Sequence, residues 1–451
     1  MKVLLIFPPN VNTIEPFKSA KQSPPPIVLG FPLGLGYLAS VLEQNGIEVS
    51  ILDACFDPTI TMCDIKHRIE DYKPDVVGIS VYTPLAKTAI KIAQIAKKYG
   101  ITVVGGGPHA TFDAENLLNN YHFDHIVKGE GETGFLDLLQ GKTKERIIQN
   151  PLIEDLDTLP LPAYHLVDFQ RYIVPQLLPN AVSIMSSRGC SHHCTFCCQL
   201  MGKWRTRSSK NVVEEIEYLL NHYEDIRSFQ FYDDNFTLNK SRVIELCELL
   251  IKKSLNKYMW SCQVRVDQIT KDLLELMKKA GCVKVSYGVE SGSPTILKNI
   301  HKGISLEKVR ETFEMTKKVG IERLAYFMIG NPGETKESIQ ESVYFAKSLK
   351  STSTLWIIAQ VYPGTELAKK QPHDFVNYLY HPEVNRVSSF THPCVPVFEQ
   401  EGLDRETLKT IQTKILREFL FHHSFQNFWV YLRHFFRSPI NALRYFRLLY
   451  A

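Results

Sequence analysis

Short apolar runs alternate with amphipathic stretches twice along this chain of 451 residues, and this repeated pattern constrains the fold more than any other feature. In the first series the predicted strands are residues 3–7, 48–53, 76–81, 102–105 and 125–127. Predicted helices lie between them, including 33–44 and 84–99, and they end near Gly46 and Gly100. The alternation predicts an α/β domain with a doubly wound, Rossmann- or flavodoxin-like parallel sheet over residues 1–141.

The second series contains six strand–helix units. Its predicted strands are residues 182–186, 228–232, 260–264, 284–289, 324–329 and 354–360. Six such units predict an open (β/α)6 partial TIM barrel over residues 179–370, with its active site at the carboxyl ends of the strands. A proline-containing linker, 142–178, joins the two domains, and residues 371–451 are predicted to form a helical C-terminal region.

Composition excludes several classes of protein. The apolar and charged fractions, 44% and 22%, are those of a globular protein, and no apolar run is long enough to span a bilayer. The N-terminus lacks the features of a secretory signal, so we expect a cytoplasmic protein.

From Arg417 onward the chain contains five arginines and one acidic residue, so the formal charge of +4 lies in this tail and the charges of residues 1–416 sum to zero. A neutral body argues against nucleic acid as a partner.

Three cysteines lie within eight residues of the loop after the first strand of the second series. Cys190, Cys194 and Cys197 have the spacing C-x3-C-x2-C. Three thiolates on a cubane iron–sulfur cluster leave one iron open to a small molecule. The alternative is a structural zinc site with His192 or His193 as the fourth ligand, but no second ligand pair follows at the spacing of a zinc finger. Cys198 lies outside the pattern, and we interpret it as a packed neighbour.

This motif, in this position, resembles the radical S-adenosylmethionine (radical SAM) superfamily. The resemblance implies a [4Fe–4S] cluster on the three cysteines, with Phe196 against adenine. It also implies that four strand ends hold S-adenosylmethionine: an amine-binding loop after the second strand, an arginine for the methionine carboxylate, a carboxylate for the ribose and a glycine-rich segment beside adenine. The residues that match these positions are Tyr232, Asp233, Asp234, Asn235, Arg265, Glu290, Ser291 and Gly330.

The strand ends of the first series carry proline and glycine loops. Glycines there let backbone approach a large ligand closely, although tight turns are the simpler interpretation. A doubly wound domain ahead of a radical SAM barrel resembles the cobalamin-binding class of the superfamily. That resemblance implies a corrin across these strand ends and its nucleotide tail near the central loops. The residues concerned are Pro8, Pro9, Ser80, Tyr82, Thr83, Gly105, Gly106, Gly107, His109, Gly129 and Glu130.

One departure from the cobalamin signature concerns cobalt. The usual D-x-H-x-x-G loop after the first strand supplies a histidine that ligates the metal from below. Here the loop reads Phe7-Pro8-Pro9-Asn10, so the resemblance implies cobalamin without a protein imidazole. His109 is the only nearby candidate, and we expect it to contact the tail instead.

The resemblance implies reductive cleavage of S-adenosylmethionine, with an electron from a donor such as flavodoxin or ferredoxin, and an anaerobic enzyme. The favoured reaction is methylation of an unactivated carbon in a small-molecule or lipid-like metabolite. An oxidative cyclase like that of magnesium-protoporphyrin monomethyl ester is the alternative. A tRNA methylthiotransferase fits poorly, because only Cys55 and Cys63 precede Cys190. A cobalamin carrier or a zinc-stabilised binding module would be the non-catalytic alternative.

Aromatic residues and arginines interleave from Phe419 to Tyr450, and Pro439 divides this stretch in two. Helices packed on the barrel are one interpretation. A basic amphipathic pair on an anionic membrane is the other, and it implies peripheral membrane contact and suits a lipid-like substrate.

Overall fold

The structure, a computed structural model, describes residues 1–9, 30–57, 59–172, 180–198, 200, 202–370 and 400–426, with side chains as far as Phe419 in the last segment. The described residues form two compact units. The first comprises the chain up to Tyr172, Gly189–Thr206 and the segment that starts at Gln360. The second comprises residues 180–188, Arg207–Ala359 and the segment after residue 399.

The first unit contains a six-stranded sheet in which all neighbouring strands are parallel. The strands are β1 (Lys2–Phe7), β2 (Glu48–Asp53), β3 (Val76–Ser80), β4 (Thr102–Gly106), β5 (His125–Lys128) and β6 (Ile147–Gln149). Their order is β2-β1-β3-β4-β5-β6. This confirms the predicted doubly wound sheet, since the first five strands follow the flavodoxin order. Strand β6 was not predicted because three residues are too few to show a period.

Both faces of this sheet are covered. The helices are α1 (Leu33–Gln44), α2 (Met62–Tyr72), α3 (Ala86–Lys98), α4 (Pro108–Phe112), α5 (Ala114–Asn120) and α6 (Gly131–Leu139). Strand β1 shows why its sequence is continuously apolar: Leu4 and Ile6 join the core on one face, while Val3, Leu5 and Phe7 join the core on the other. The predicted linker forms three 3₁₀ turns, Leu156–Thr158, Tyr164–Leu166 and Phe169–Tyr172.

The second unit also contains a six-stranded parallel sheet. Its strands are β7 (Ala181–Ile184), β10 (Ser228–Phe231), β11 (Met259–Val264), β12 (Cys282–Glu290), β13 (Glu322–Ile329) and β14 (Ser353–Ile358). Their spatial order, β14-β13-β12-β11-β10-β7, follows the chain. This is the predicted (β/α)6 arrangement. Two short strands, β8 (Ser187–Arg188) and β9 (Arg205–Thr206), flank the cysteine motif along the chain.

Helices connect these strands, and several begin at a polar residue whose side chain accepts a backbone hydrogen bond. The helices are α7 (Ser209–His222), α8 (Lys240–Lys252), α9 (Lys271–Lys279), α10 (Pro294–Asn299), α11 (Leu306–Val319), α12 (Lys336–Ser348), α13 (Glu366–Lys369) and α14 (Arg405–Gln426). Ser208, Asn239, Ser305 and Thr335 are such N-caps.

Helix α14 packs on β14, the strand at one edge of the second sheet. Gln412 Nε2 donates a hydrogen bond of 2.9 Å to the Trp356 carbonyl, and Phe419 packs against the Trp356 ring at 5.5 Å between centroids. The start of the tail therefore covers the sheet edge, as the packing interpretation expects. The rest of the aromatic and arginine-rich tail, from residue 427, lies outside the described residues, and the membrane interpretation stays a prediction. No described helix is both long and apolar enough to cross a bilayer.

Candidate functional site

The cysteine motif begins at a glycine that no other residue can replace without strain. Gly189 has φ +84°, and a Cβ atom there would lie 2.9 Å from the Lys203 carbonyl oxygen. Cys190 is half-buried, Cys194 is buried and Cys197 is exposed. The Cys197 N–H donates to the Cys194 carbonyl at 3.1 Å, and the Thr195 carbonyl accepts from the Leu367 N–H at 3.0 Å. The loop is thus fixed in part by backbone hydrogen bonds.

Cys198 differs from the three cysteines of the motif. Its Sγ lies 3.0 Å from the Pro363 carbonyl oxygen, to which it donates. Burial raises the pKa of the Cys198 thiol to about 11. Because a metal ligand must be a thiolate, this thiol is poorly suited to bind a cluster. Its placement agrees with its interpretation as a packed neighbour.

The structure does not bring Cys190, Cys194 and Cys197 together as a ligand set. Among the described side chains, no group of three Cys, His, Asp or Glu residues has the geometry to hold a metal ion. The chemistry of the donors nevertheless fits an iron–sulfur cluster, because the three thiols lie on one segment of eight residues.

Asp233 follows β10 and is buried, 2% exposed. Its carboxylate accepts hydrogen bonds from the Ser186 N–H and the Ser187 hydroxyl, both at 2.7 Å. The Arg242 guanidinium lies 3.9 Å from it and also donates to the Ser186 hydroxyl and carbonyl. Asp233, predicted as part of the amine-binding loop, therefore fixes the residues that lead into Gly189 and the cysteines.

The other members of the predicted amine-binding loop are arranged differently. Tyr232 and Asp234 are exposed, whereas Asn235 is buried. The Asn235 amide donates to Gln268 Oε1 at 2.8 Å, but its Oδ1 is buried and has no hydrogen-bond partner. A buried acceptor without a donor costs free energy, so this oxygen is suited to an ammonium or hydroxyl group of a ligand.

Glu290 ends β12 in the left-handed region, with φ +70°. Lys302 Nζ donates to Glu290 Oε1 at 2.8 Å, and both side chains are 9% exposed. A Cβ at Gly288 would lie 2.5 Å from Glu290 Oε1 and 2.9 Å from Lys302 Nζ, so glycine makes room for this pair. The ion pair holds one oxygen of the Glu290 carboxylate. It thereby fixes the orientation of this side chain, which is predicted to bind the ribose.

Arg265, predicted to pair with the methionine carboxylate, has protein partners. Its guanidinium donates two hydrogen bonds of 3.1 Å to the Asp267 carboxylate. Its Nη2 also donates to the Lys302 carbonyl at 2.9 Å, so it supports the segment that carries the Glu290 partner. Ser291, another predicted ligand, is fully buried, and its hydroxyl lies 3.0 Å from that of Ser342 on α12.

The loop after β13 is organised by the carboxylate of Glu334. This carboxylate accepts hydrogen bonds from the N–H groups of Gly330 and Asn331. Gly330 has φ +84° and packs against Leu408, while the second Glu334 oxygen and Asn331 Oδ1 are buried without a partner. Burial raises the pKa of Glu334 to about 7. A protonated Glu334 can donate as well as accept.

In the first unit, the loops predicted to hold a cofactor meet at one edge of the sheet. The Pro9 carbonyl accepts from the Thr88 hydroxyl at 2.8 Å, and the Val81 N–H donates to the Gly106 carbonyl at 2.7 Å. Tyr82 is 39% exposed beside Phe7, with 5.3 Å between ring centroids. The structure therefore brings the loops after β1, β3 and β4 together, because the carboxyl ends of parallel strands share an edge.

His109, expected to contact the nucleotide tail, has a fully buried side chain. Its Nδ1 lies 3.2 Å from the Thr83 hydroxyl and its Nε2 lies 3.4 Å from the Asp113 carboxylate. The imidazole thus connects helix α4 to the loop after β3, where Ser80 and Thr83 lie. A direct contact with a cofactor stays a prediction.

The glycines of these loops serve different purposes. A Cβ at Gly105 would lie 2.6 Å from Ile126 Cδ1, so the core fills that space. Gly107, with φ +93°, would place a Cβ 3.2 Å from the Val81 carbonyl, whereas a Cβ at Gly106 would approach nothing nearer than 3.7 Å. A Cβ at Gly129 would meet nothing within 4 Å. Gly106 and Gly129 therefore leave open backbone that a flat ligand could approach, and these residues fit cobalamin.

Glu130, a predicted cofactor residue, is buried and paired with Arg205 at 2.7 Å. Arg205, Arg242 and Lys302 are the functional residues that sequence reasoning missed. Each is a buried cation that holds a predicted carboxylate, Glu130, Asp233 or Glu290. No motif marks them, because a single basic residue in an amphipathic pattern predicts an exposed side chain.

Comparison with known proteins agrees with this architecture. The family model described as the radical SAM superfamily matches residues 184–346, and the B12 binding domain matches residues 28–139. An uncharacterized methyltransferase of Pyrococcus horikoshii is 35% identical over 392 residues, which cover 81% of this chain and 82% of the relative. The anaerobic magnesium-protoporphyrin IX monomethyl ester cyclase of Rubrivivax gelatinosus is 28% identical, covering 86% and 74% of the two chains.

Among solved structures, a radical S-adenosylmethionine methyltransferase, TsrM from Kitasatospora setae, superimposes with a TM-score of 0.63. It is 21% identical and the match covers 82% of this chain and 76% of that one, so it shows a shared fold. The chain therefore belongs to the cobalamin-binding class of the radical SAM superfamily. It is an enzyme whose cofactors are a [4Fe–4S] cluster, S-adenosylmethionine and cobalamin.

We expect Asp233→Ala to lower the free energy of unfolding by about 3–5 kcal/mol, because the buried Arg242 keeps its charge after its carboxylate is lost. Asp234→Ala, at the adjacent exposed position, is the control and should change it by about 0.5 kcal/mol or less. Urea unfolding of both variants measures the difference. Equal effects at the two positions would show that Asp233 does not support the loop.

Glu334 makes the stability depend on pH. Burial raises the pKa of Glu334 from 4.5 to about 7. As pH rises, this carboxyl group therefore loses its proton at a lower pH in the unfolded chain than in the folded protein. Its contribution to the free energy of unfolding should therefore fall by about 3 kcal/mol between roughly pH 4.5 and pH 7. Glu334→Gln, which keeps an acceptor but cannot ionise, should remove this part of the slope in urea titrations, whereas Glu341→Gln, on the exposed face of α12, should retain it. An unchanged slope in Glu334→Gln would contradict the assignment.

Proposed function

We propose that this protein transfers a methyl group to an unactivated carbon of a small-molecule metabolite, with Cys190, Cys194 and Cys197 as the cluster ligands. The observation that carries the proposal is the pairing of a B12 binding domain with a radical SAM domain in one chain, whose 35%-identical relative is called a methyltransferase. When bound, the cofactors supply a methyl group and a carbon-centred radical chemistry that no side chain provides.

The residues of the second unit would hold S-adenosylmethionine at three strand ends. Glu290, fixed by Lys302, offers its second carboxylate oxygen to the ribose hydroxyls. Asn235 Oδ1, buried without a donor, suits the ammonium group of the methionine moiety. The loop Gly330–Glu334 presents two further buried acceptors, Asn331 Oδ1 and Glu334 Oε1, which suit the adenine amino group. These assignments rest on burial and unsatisfied hydrogen-bonding capacity.

The loops of the first unit would hold cobalamin at the carboxyl edge of its sheet. Gly106 and Gly129 leave the backbone accessible, and Tyr82 presents a partly exposed ring on the same edge. The Thr83 hydroxyl is held by His109, so it can accept a further hydrogen bond in a fixed direction. No histidine follows β1, and the Pro8–Pro9 segment packs against the sheet, which supports cobalamin bound without a protein imidazole.

The ligand assignment predicts how each cysteine variant behaves. Alanine at Cys190, Cys194 or Cys197 should each remove the cluster after anaerobic reconstitution with iron and sulfide, because two thiolates retain a cubane poorly. Cys198→Ala is the matched control and should keep the iron and sulfide content of the unaltered protein, since its thiol donates to the Pro363 carbonyl. Iron and sulfide analysis measures the result. Loss of the cluster in Cys198→Ala alone would overturn the assignment.

Methyl transfer and oxidative cyclisation predict different products. Methyl transfer would use the methyl group of S-adenosylmethionine and leave S-adenosylhomocysteine, whereas cyclisation would use no methyl group. With cobalamin, a strong reductant and S-adenosylmethionine carrying a deuterated methyl, we expect deuterated methylcobalamin and S-adenosylhomocysteine in equal amounts, measured by mass spectrometry. 5′-Deoxyadenosine without S-adenosylhomocysteine would favour the cyclase function, for which the relative from Rubrivivax gelatinosus is the supporting comparison.

A further inference from the structure

The cysteine segment is anchored at its far end by a buried ion pair within the first unit. Arg205 Nη1 lies 2.7 Å from Glu130 Oε2, and both side chains are only 3% exposed. The same carboxylate oxygen accepts from the Ile153 N–H at 2.7 Å, while Arg205 Nη1 donates to the Ile153 carbonyl at 2.8 Å. The pair thus joins three segments: the loop after β5, the linker and the end of the cysteine segment.

Glu130 belongs to the edge of the sheet where cobalamin is expected. It follows Gly129, whose N–H donates to the Thr111 hydroxyl at 3.0 Å. The Thr111 hydroxyl in turn donates to the Gly107 carbonyl at 2.9 Å. A continuous set of hydrogen bonds therefore runs from the loop after β4, through the loop after β5, to Arg205.

An exposed ion pair on the same segment provides a contrast. Lys203 Nζ lies 3.1 Å from a Glu154 oxygen, with side chains 69% and 67% exposed. Exposed pairs contribute little, because water screens the charges and both side chains lose freedom. Loss of one partner from the buried pair leaves a desolvated charge, which has a much larger effect. Of these two ion pairs, Glu130–Arg205 is therefore the stronger constraint on the end of the segment.

We propose that the Glu130–Arg205 pair positions the cysteine loop and couples cobalamin binding to cluster binding. The proposal rests on the function proposed above. Cobalamin bound to the loops after β4 and β5 restricts the motion of these loops. Because the ion pair connects them to the segment that carries the cysteines, that segment also becomes less mobile. A loop that is already ordered loses less conformational entropy when the cluster forms, so each cofactor favours the other.

The test measures this mutual effect as an equilibrium quantity. The dissociation constant of hydroxocobalamin is determined by anaerobic equilibrium dialysis for cluster-loaded and cluster-free full-length protein. In the unaltered protein we expect cluster loading to lower this constant at least about fivefold. In Glu130→Gln and in Arg205→Met, the ratio of the dissociation constants without and with the cluster should fall to within about twofold of one, because neither variant keeps the ion pair.

Two further variants separate coupling from a general loss of structure. Glu154→Gln removes the exposed pair on the same segment and should keep the ratio of the unaltered protein. Arg205→Lys keeps a cation toward Glu130 but lacks the guanidinium Nε, which donates to the Lys203 carbonyl at 3.1 Å, so its ratio should be intermediate; it also serves if Glu130→Gln does not fold. Thermal unfolding of the cofactor-free proteins confirms that each variant is folded.

A ratio of one in the unaltered protein, or an unchanged ratio in folded Glu130→Gln, would overturn the coupling. Failure of the unaltered protein to retain a cluster or to bind hydroxocobalamin would instead remove the proposed function, and the coupling with it. The inference is supported if the cluster no longer lowers the dissociation constant in Glu130→Gln and Arg205→Met but still lowers it in Glu154→Gln.

Discussion

The buried carboxylate of Asp233 is the constraint on which the catalytic unit depends. It satisfies the Ser186 N–H and the Ser187 hydroxyl, and its charge is compensated by Arg242. These contacts join the end of β10 to the residues that follow β7, directly ahead of Gly189. A loop that must present three thiols to one cluster needs a fixed origin, because a displacement of its first residue moves every ligand. The cost of burying Asp233 is offset only while all its donors remain.

The same device recurs at other strand ends. Glu290 is held by Lys302, Glu334 by the backbone N–H groups of its own loop, and Glu130 by Arg205. Each carboxylate is buried, and protein donors use part of its hydrogen-bonding capacity. These contacts fix the orientation of the carboxylate before a ligand binds. Within the part of the chain that the structure describes, Glu334 pairs with no cation, and burial raises its pKa.

Proteins named for methyl transfer and for cyclisation are both relatives of this chain. The relatives include a methyltransferase and a cyclase, and the B12 and radical SAM domains are common to the class. The cofactors therefore define the chemistry that is available to the class. This is the general relation between a fold and its functions: the fold provides the position of the site, and its chemistry depends on particular groups.

Sequence alone was enough to predict the two parallel sheets, the order of their elements and the motif of three cysteines. It could do so because strand and helix periods, glycine turns and ligand spacing are local properties of the chain. It gave no sign of β6, which is too short to show a period, nor of the cations Arg205, Arg242 and Lys302. Their roles depend on carboxylate partners elsewhere in the chain, as far as 75 positions away for Arg205 and Glu130. Charge compensation in a buried site is set by neighbours in space. The three-dimensional fold was therefore needed to show which carboxylates face protein donors and which buried oxygens remain for a ligand.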